Sequence, residues 1–279
     1  MALFIKEVLA DAINEKLGVN LKMGLLADDV TDQVAEITEC GDKVNFPKYE
    51  RVAKVGKITK GKAVVPQEVS MTENPAIIEQ TGGSIRVYDK DEKQIKGKTK
   101  DNMVLQLTEA MDKDLDDALS AVMLEKATKK SATASKTAIT AKEMYDALAL
   151  FGDDVDTDRF KGIAINSRLL PSFLAMPEFT SIEKTYATSG NGFIKNGLVG
   201  YFIGIPVVLT NNGTWDSSKS ECITYVVQKG AVGYVKQQEV QVEIEREAKL
   251  YANDIVVGSL YATNVMDADG LVLVRNTVA

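Results

Sequence analysis

The last forty residues constrain this chain more than any other stretch. From Val240 it reads VQVEIEREAKLYANDIVVGSLYATNVMDADGLVLVRNTVA. Val240, Val242 and Ile244 alternate with Gln241, Glu243 and Glu245. A strand sends successive side chains to opposite faces, so this spacing predicts a long strand with one dry and one wet side. A charged bend follows, then an apolar segment from Ile255 to Val265, a turn at Asp267-Ala268-Asp269-Gly270 and a last strand from Leu271 to Val274. Such an ending builds a β-rich scaffold, and no residue in it is an obvious chemical tool.

The rest of the composition narrows the function classes. With 279 residues, 45% of them hydrophobic, the chain can bury a sizeable core as one large or two modest domains. Its net charge of −7 argues against a direct grip on phosphates. It has no histidine, so the commonest general base and transition-metal ligand are missing. Two cysteines far apart, Cys40 and Cys222, fit a reducing compartment and buried thiols. At the N-terminus Leu3, Phe4, Val8, Leu9, Ile13 and Leu17 recur at helical spacing. Glu7, Asp11 and Glu15 oppose a secretory or transit signal. No apolar run approaches the ~20 residues needed to cross a bilayer, so an amphipathic helix is predicted and no membrane partner.

From Gly41 the character changes. GDKVNFPKYERVAKVGKITKGKAVVPQEVSMTEN carries seven Lys or Arg between Lys43 and Lys62, against only Asp42 and Glu50. It has too few apolar residues to bury a core of its own, so it reads as a long arm ordered by whatever it lies on. Ala76 to Val87 reads as further strand, broken at Gly82-Gly83. A strong helix is predicted from Met103 to Lys126, capped by Asp101 or Asn102, with Val104, Leu107, Met111, Leu115, Ala118, Leu119 and Val122 in one stripe. Lys129 to Ala138 reads as a small-residue linker. Thr140 and Glu143 form a capping box for a helix that stops at Gly152. A strand at Ile163 to Ile165, a short helix from Ser167 to Met176 bent at Pro171, and strands at Ile205 to Thr210 and Ile223 to Val227 complete a compact α/β module.

Three partial motifs point to chemistry, and each lacks a part. Gly56-Lys57-Ile58-Thr59-Lys60-Gly61-Lys62 matches the first seven positions of a phosphate-binding loop, but Ala63 replaces the magnesium-binding hydroxyl, and Val64-Val65-Pro66 suits a strand where a helix should begin. Asp154, Asp156 and Asp158 alternate like a calcium loop, yet Arg159 stands at the turn glycine and Ile165 at the terminal glutamate. Gly197, Gly200 and Gly204 have the wrong spacing for a dinucleotide site, and Pro206 interrupts the helix that should follow. Trp215, the sole tryptophan, sits in a polar stretch and suits a loop plug or a partner contact.

The order of parts carries more information than any one motif. GDKVNFPKYE enters the arm, MDKDLDDALSAVMLEK lies on the long helix, KGIAINSRLLPSFL and GLVGYFIGIPVVLTNN lie in the module, and EVQVEIEREAKLYANDIVVGSLYATNVMDADGLVLV closes the chain. In this order the sequence resembles tailed-phage major capsid proteins of the Hong Kong-97-type fold, over most of its length. The resemblance implies an α+β fold with an N-terminal arm at 1–40, an extended loop at 41–80 lying over a neighbouring subunit, a peripheral domain with the spine helix at 81–135, an axial domain at 136–235, and return strands at 236–279. It implies an icosahedral shell of many copies, in hexamers and pentamers, around double-stranded DNA held without sequence-specific contact. It implies no enzyme activity, no cofactor and no metal, and a virion subunit assembled in the host bacterial cytoplasm. Portal and decoration proteins are further implied partners. The chain begins close to the arm, so a separate scaffold protein or prior cleavage is expected. From its charge, the arm offers Lys54, Lys57, Lys60 and Lys62 as candidate inter-subunit contacts. The alternatives are an encapsulin-like nanocompartment shell, which shares the fold and would carry enzyme cargo, and a nucleotide-binding enzyme using Gly61-Lys62.

Overall fold

The computed structural model describes residues 6–18, 20–33, 42–49, 71–90, 99–152, 156–181 and 197–278. In chain order its elements are α1 (Lys6–Lys16), β1 (Asp28–Asp29), β2 (Lys43–Tyr49), β3 (Met71–Ile77), β4 (Glu79–Tyr88), α2 (Thr99–Lys126), β5 (Lys129–Ala132), α3 (Ala141–Ala149), β6 (Phe160–Ile165), α4 (Leu170–Ala175), β7 (Phe179–Ser181), β8 (Leu198–Phe202), β9 (Ile205–Leu209), β10 (Trp215–Asp216), β11 (Glu221–Cys222), β12 (Thr224–Gln228), β13 (Val232–Glu247), β14 (Ala252–Val265) and β15 (Leu271–Arg275).

Two larger sheets organise them. One runs β1-β13-β14-β4, and the other runs β5-β15-β12-β6-β9-β8-β7. Alternation explains the second. Ile163, Ile165, Val226, Val272 and Val274 face a core shared with α3 and α4. Their neighbours Ala164, Tyr225, Val227, Leu271 and Leu273 face the opposite way, against Leu115, Leu119 and Met123 of α2. A sheet covered on both faces needs near-continuous apolar strands, and β15 is buried at all five residues.

The long strand foreseen at Val240 starts eight residues earlier, at Val232. Val240 and Val242 are buried, while Gln241, Glu243 and Glu245 are exposed. Two register shifts against β14, between Lys236 and Gln238 and between Gln238 and Gln241, insert extra residues in β13. Bulges bend and twist a strand. Before them Val235 joins Ala262 and Met266 under the β2–β3 hairpin; after them Val240 and Val242 pack with Leu9 and Ile13 of α1 and with Val104 and Leu107 of α2.

Four expectations need correction. The strand near Gly82-Gly83 is not broken: β4 pairs with β14 from Glu79 to Tyr88, with Gly82 opposite Gly258. A Cβ on Gly82 would lie 2.7 Å from the Val257 carbonyl oxygen, so the glycine permits close approach and does not interrupt pairing. The spine helix begins at Thr99, which places Asp101 and Asn102 inside its first turn and not at its cap. The linker's first residues are β5, pairing in parallel with β15 from Lys129↔Val272 to Ala132↔Arg275; an edge position suits polar residues that a central strand would exclude. The stretch from Ser167 divides into a single 3-10 turn and α4, with Pro171 in the first turn of α4, where its missing N–H removes no helical bond. The capping box is present in both halves: Thr140 Oγ1 accepts from the Glu143 N–H at 3.4 Å, and Glu143 Oε2 accepts from the Thr140 N–H at 2.7 Å.

Candidate functional site

The surface with most bearing on function is rooted where β2 and β3 leave the body. The two strands pair antiparallel from Lys43↔Ile77 to Tyr49↔Met71. Val44, Phe46 and Ala76 are buried against Val235, Ala262 and Met266. Asn264, fully buried, fixes the root. Its amide donates to the Asn74 carbonyl at 3.1 Å and to Asn74 Oδ1 at 3.0 Å. Its own Oδ1 accepts from Lys126 Nζ at 2.5 Å and from the Val265 N–H at 2.9 Å. Asn74 returns a bond to the Val265 carbonyl at 2.6 Å. A buried amide with its donors and acceptors engaged gives one register and one exit direction. Lys54, Lys57, Lys60 and Lys62, with the whole Gly56–Lys62 motif, lie outside the described residues.

The other candidate sites resolve into structure. Asp154 lies outside the described residues. Asp156 caps a turn, its Oδ1 accepting from the Asp158 N–H at 3.2 Å. Among the described residues no group of three or more Asp, Glu or Cys side chains is arranged to hold a metal. Trp215 packs at the edge of the module's core, with the Arg168 guanidinium 3.7 Å from its ring centroid; this is the loop plug. Gly197 and Gly204 hold positive φ at turns on either side of β8. Cys222 is buried, which pushes its thiol up and leaves it unreactive. Cys40 lies outside the described residues.

Two constellations were missed from sequence. On α2, Thr108, Asp112, Asp116 and Ser120 are all buried, one every four residues. Asp112 accepts the N–H groups of Gly18 and Asn20 at 2.9 and 3.3 Å, and Asp116 those of Lys22 and Gly24, both at 3.0 Å. The segment after α1 is thus strapped to the spine by its backbone, and Leu21, Met23 and Leu26 drop into the core beneath. Burial raises both carboxyls above the usual range, against the pull of those donors. The available signal was positional, since acids at 112 and 116 flank the apolar stripe. The second constellation is Arg275, which donates to Glu221 Oε1 at 2.6 Å and to Asp216 Oδ2 at 2.7 Å. The Ser218 hydroxyl and then Arg275 outweigh burial and hold Asp216 at about 2. Burial opposes ionisation of Glu221, but Arg275 and Thr277 outweigh it and hold that carboxyl below its ordinary value.

The geometry of the described residues gives a braced body and a hairpin whose root is fixed by Asn74 and Asn264. Comparison with known proteins places it. A family model described as phage capsid protein matches residues 24–278, and the chain belongs to that family. Its fold is of the Hong Kong-97 type, and its family is that of phage capsid proteins. Among solved structures it is similar to one from Mycobacterium phage Che8 (18% identity, 92% of each chain covered, TM-score 0.64). It is also similar to one from Gordonia phage Cozz (10% identity, 92% and 86% covered, TM-score 0.63) and to the capsid of a native GTA particle (8% identity, 93% and 91% covered, TM-score 0.63). No curated protein matches the chain.

Proposed function

We propose that this capsid protein closes its shell by exchanging extended loops between copies, as hexamers and pentamers around double-stranded DNA. The observation that carries the reading is the contrast between the fixed root of β2–β3 and the basic stretch of sequence that follows it. Among the described residues, the buried side chains of the hairpin are Val44, Phe46 and Ala76, all near its root, while the chain beyond Tyr49 holds Arg51, Lys54, Lys57, Lys60 and Lys62 in a protein of net charge −7. A basic segment leaving an acidic body is suited to an identical acidic body beside it, and such head-to-tail contacts close into rings and shells. In this reading α2 with the β13–β14–β4 sheet forms the peripheral domain, and the seven-stranded sheet with α3 and α4 forms the axial domain. Assembly in the host cytoplasm together with scaffold and portal proteins is part of the same proposal. The structural family favours a role without catalysis, and phage capsid membership favours the virion over a nanocompartment.

Electron microscopy and size-exclusion chromatography of the purified chain test this directly: shells or large rings are expected, and a persistent monomer would overturn it. Reversing Lys54 and Lys57 to Glu should weaken assembly, more so at low salt, because exposed charges separated by more than ~10 Å are screened at 0.1 M. Unchanged assembly of that variant would remove the electrostatic part of the reading.

A further inference from the structure

β13 bends where its packing changes, and the bend leaves a gap beneath it. Its two register shifts lie between Lys236 and Gln238 and between Gln238 and Gln241. At that level α1 has ended at Lys16, and the strap to Asp112 begins at Gly18. A partly enclosed cavity of about 110 Å³ remains between α1, α2, β13 and β14. It lies on a seam between two cores. Leu115 and Tyr261 on its wall belong to the cluster between α2 and the seven-stranded sheet. Leu17, Met111 and Val240 belong to the cluster under α1. Neither core fills the space between them.

One inward position deepens the gap. On β14, Val257 and Tyr261 are buried, and Ser259 between them shares their face. Its side chain is the small one of that row, and its hydroxyl lies 3.3 Å from that of Thr81. The charges around the cavity select a neutral occupant. Lys236 lines it, with its ammonium 5.6 Å from the Tyr234 ring centroid, and that cation would repel an amine. Asp112 and the exposed Glu239 also line it, and they would repel a carboxylate. Both oxygens of Asp112 already accept from backbone, at Gly18 and Asn20. What remains is apolar wall with the Ser259 hydroxyl beside it.

We propose that this cavity binds a small uncharged molecule made of an apolar ring and a single hydroxyl group, about the size of phenol. The proposal goes beyond the loop-exchange reading and does not rest on it. An apolar cavity of about 150 Å³ stays dry and takes up benzene. This one is smaller but partly open, so a ring can fill the apolar part while its hydroxyl meets Ser259. The ring restores the packing contacts that an unfilled void forfeits. The hydroxyl adds a partner for a side chain that otherwise has Thr81. A molecule seated there touches both helices and both strands at once, so it braces the seam and should raise the unfolding midpoint of the subunit.

The test titrates 4-fluorophenol into the full chain and follows it by fluorine NMR. A saturable shift or broadening with half-saturation at about 1 mM is expected, since about eight heavy atoms fall between the limits for tiny and drug-sized ligands. Ser259→Ala keeps the space and loses the hydroxyl, so it should weaken 4-fluorophenol about fivefold and leave 4-fluorotoluene, which has no hydroxyl, within about twofold of the parent. Ser259→Leu fills the space and should abolish binding of both. Equal binding by a folded Ser259→Leu chain would overturn the proposal, as would the absence of saturation at about 20 mM. Should Ser259→Leu not fold, the parent chain decides alone. Crystallography or cryo-electron microscopy of protein soaked in 4-fluorophenol should place the ring between Leu115 and Val240, and a ring found only elsewhere removes the site.

Discussion

At Gly213 one missing carbon decides how the module meets the spine. Its φ is +64°, and a Cβ there would lie 2.1 Å from the Ser120 Cβ. Two costs coincide, left-handed backbone and a collision with the helix, so Gly213→Ala should destabilise the isolated subunit by about 2–3 kcal/mol, read by urea unfolding. The Arg275 cluster makes a second residue-scale prediction. Arg275 and Glu221 are buried, so Arg275→Met strands a buried carboxylate and should cost about 3 kcal/mol at neutral pH. The pH dependence has a definite sign. Asp216 and Glu221 titrate below their unfolded values, so their stabilisation is present above the ordinary carboxylate range and lost as the pH falls toward 2. Unfolding midpoints measured from pH 7 down to pH 2 should drop in the parent and drop less in Arg275→Met. None of this was legible beforehand. Arg275 stands 54 and 59 residues from its partners, and no local pattern connects them.

At the scale of elements, periodicity was legible where one force acted. The apolar stripe of α2 gave the helix because its burial is one-sided, and the alternation from Val240 gave β13 because from there on only one face of the strand is covered. Where pairing decides, the sequence was mute. Gly82-Gly83 looked like a break because glycine weakens an isolated strand, yet opposite Gly258 it lets β4 and β14 close up. Lys129–Ala132 looked like a linker because its reason for being a strand lies more than 140 residues away, in β15. The same holds for the Asp112–Asp116 strap, whose donors lie 92 to 94 residues away. Asp116→Ala leaves the Lys22 and Gly24 N–H groups without their acceptor, so hydrogen exchange at those two amides should quicken, with a local cost of about 1–2 kcal/mol. The pH effect here runs opposite to the Arg275 cluster. Burial raises both carboxyls, so as pH rises through that raised range the strap loses stability, and Asp116→Asn should flatten its share of the slope.

At the scale of the whole molecule, the order of parts announced a shell protein before any contact was known, because each part taken alone was unfinished: an amphipathic helix needing cover, a basic arm without a core, a spine, a module and return strands. Among the described residues the structure completes the helix, the spine and the module internally. α1 is covered by α2 and β13, and the module's sheet is covered on both faces. The remaining part predicts its own independence. Because the buried contacts described for the β2–β3 hairpin lie at its root, replacing residues 50–70 with an Asn-Gly turn joins Tyr49 to Met71 where the register already pairs them. The body should keep its circular dichroism, and its unfolding free energy should change by no more than about 2 kcal/mol, since shortening the loop to two residues alters closure entropy by roughly that amount. Shells should vanish from micrographs of the same protein. Loss of folding together with assembly would mean that the segment braces its own subunit, and shells that persist would mean that copies are held together elsewhere. Only a folded, solitary body fits a loop whose structural work is done on a neighbour.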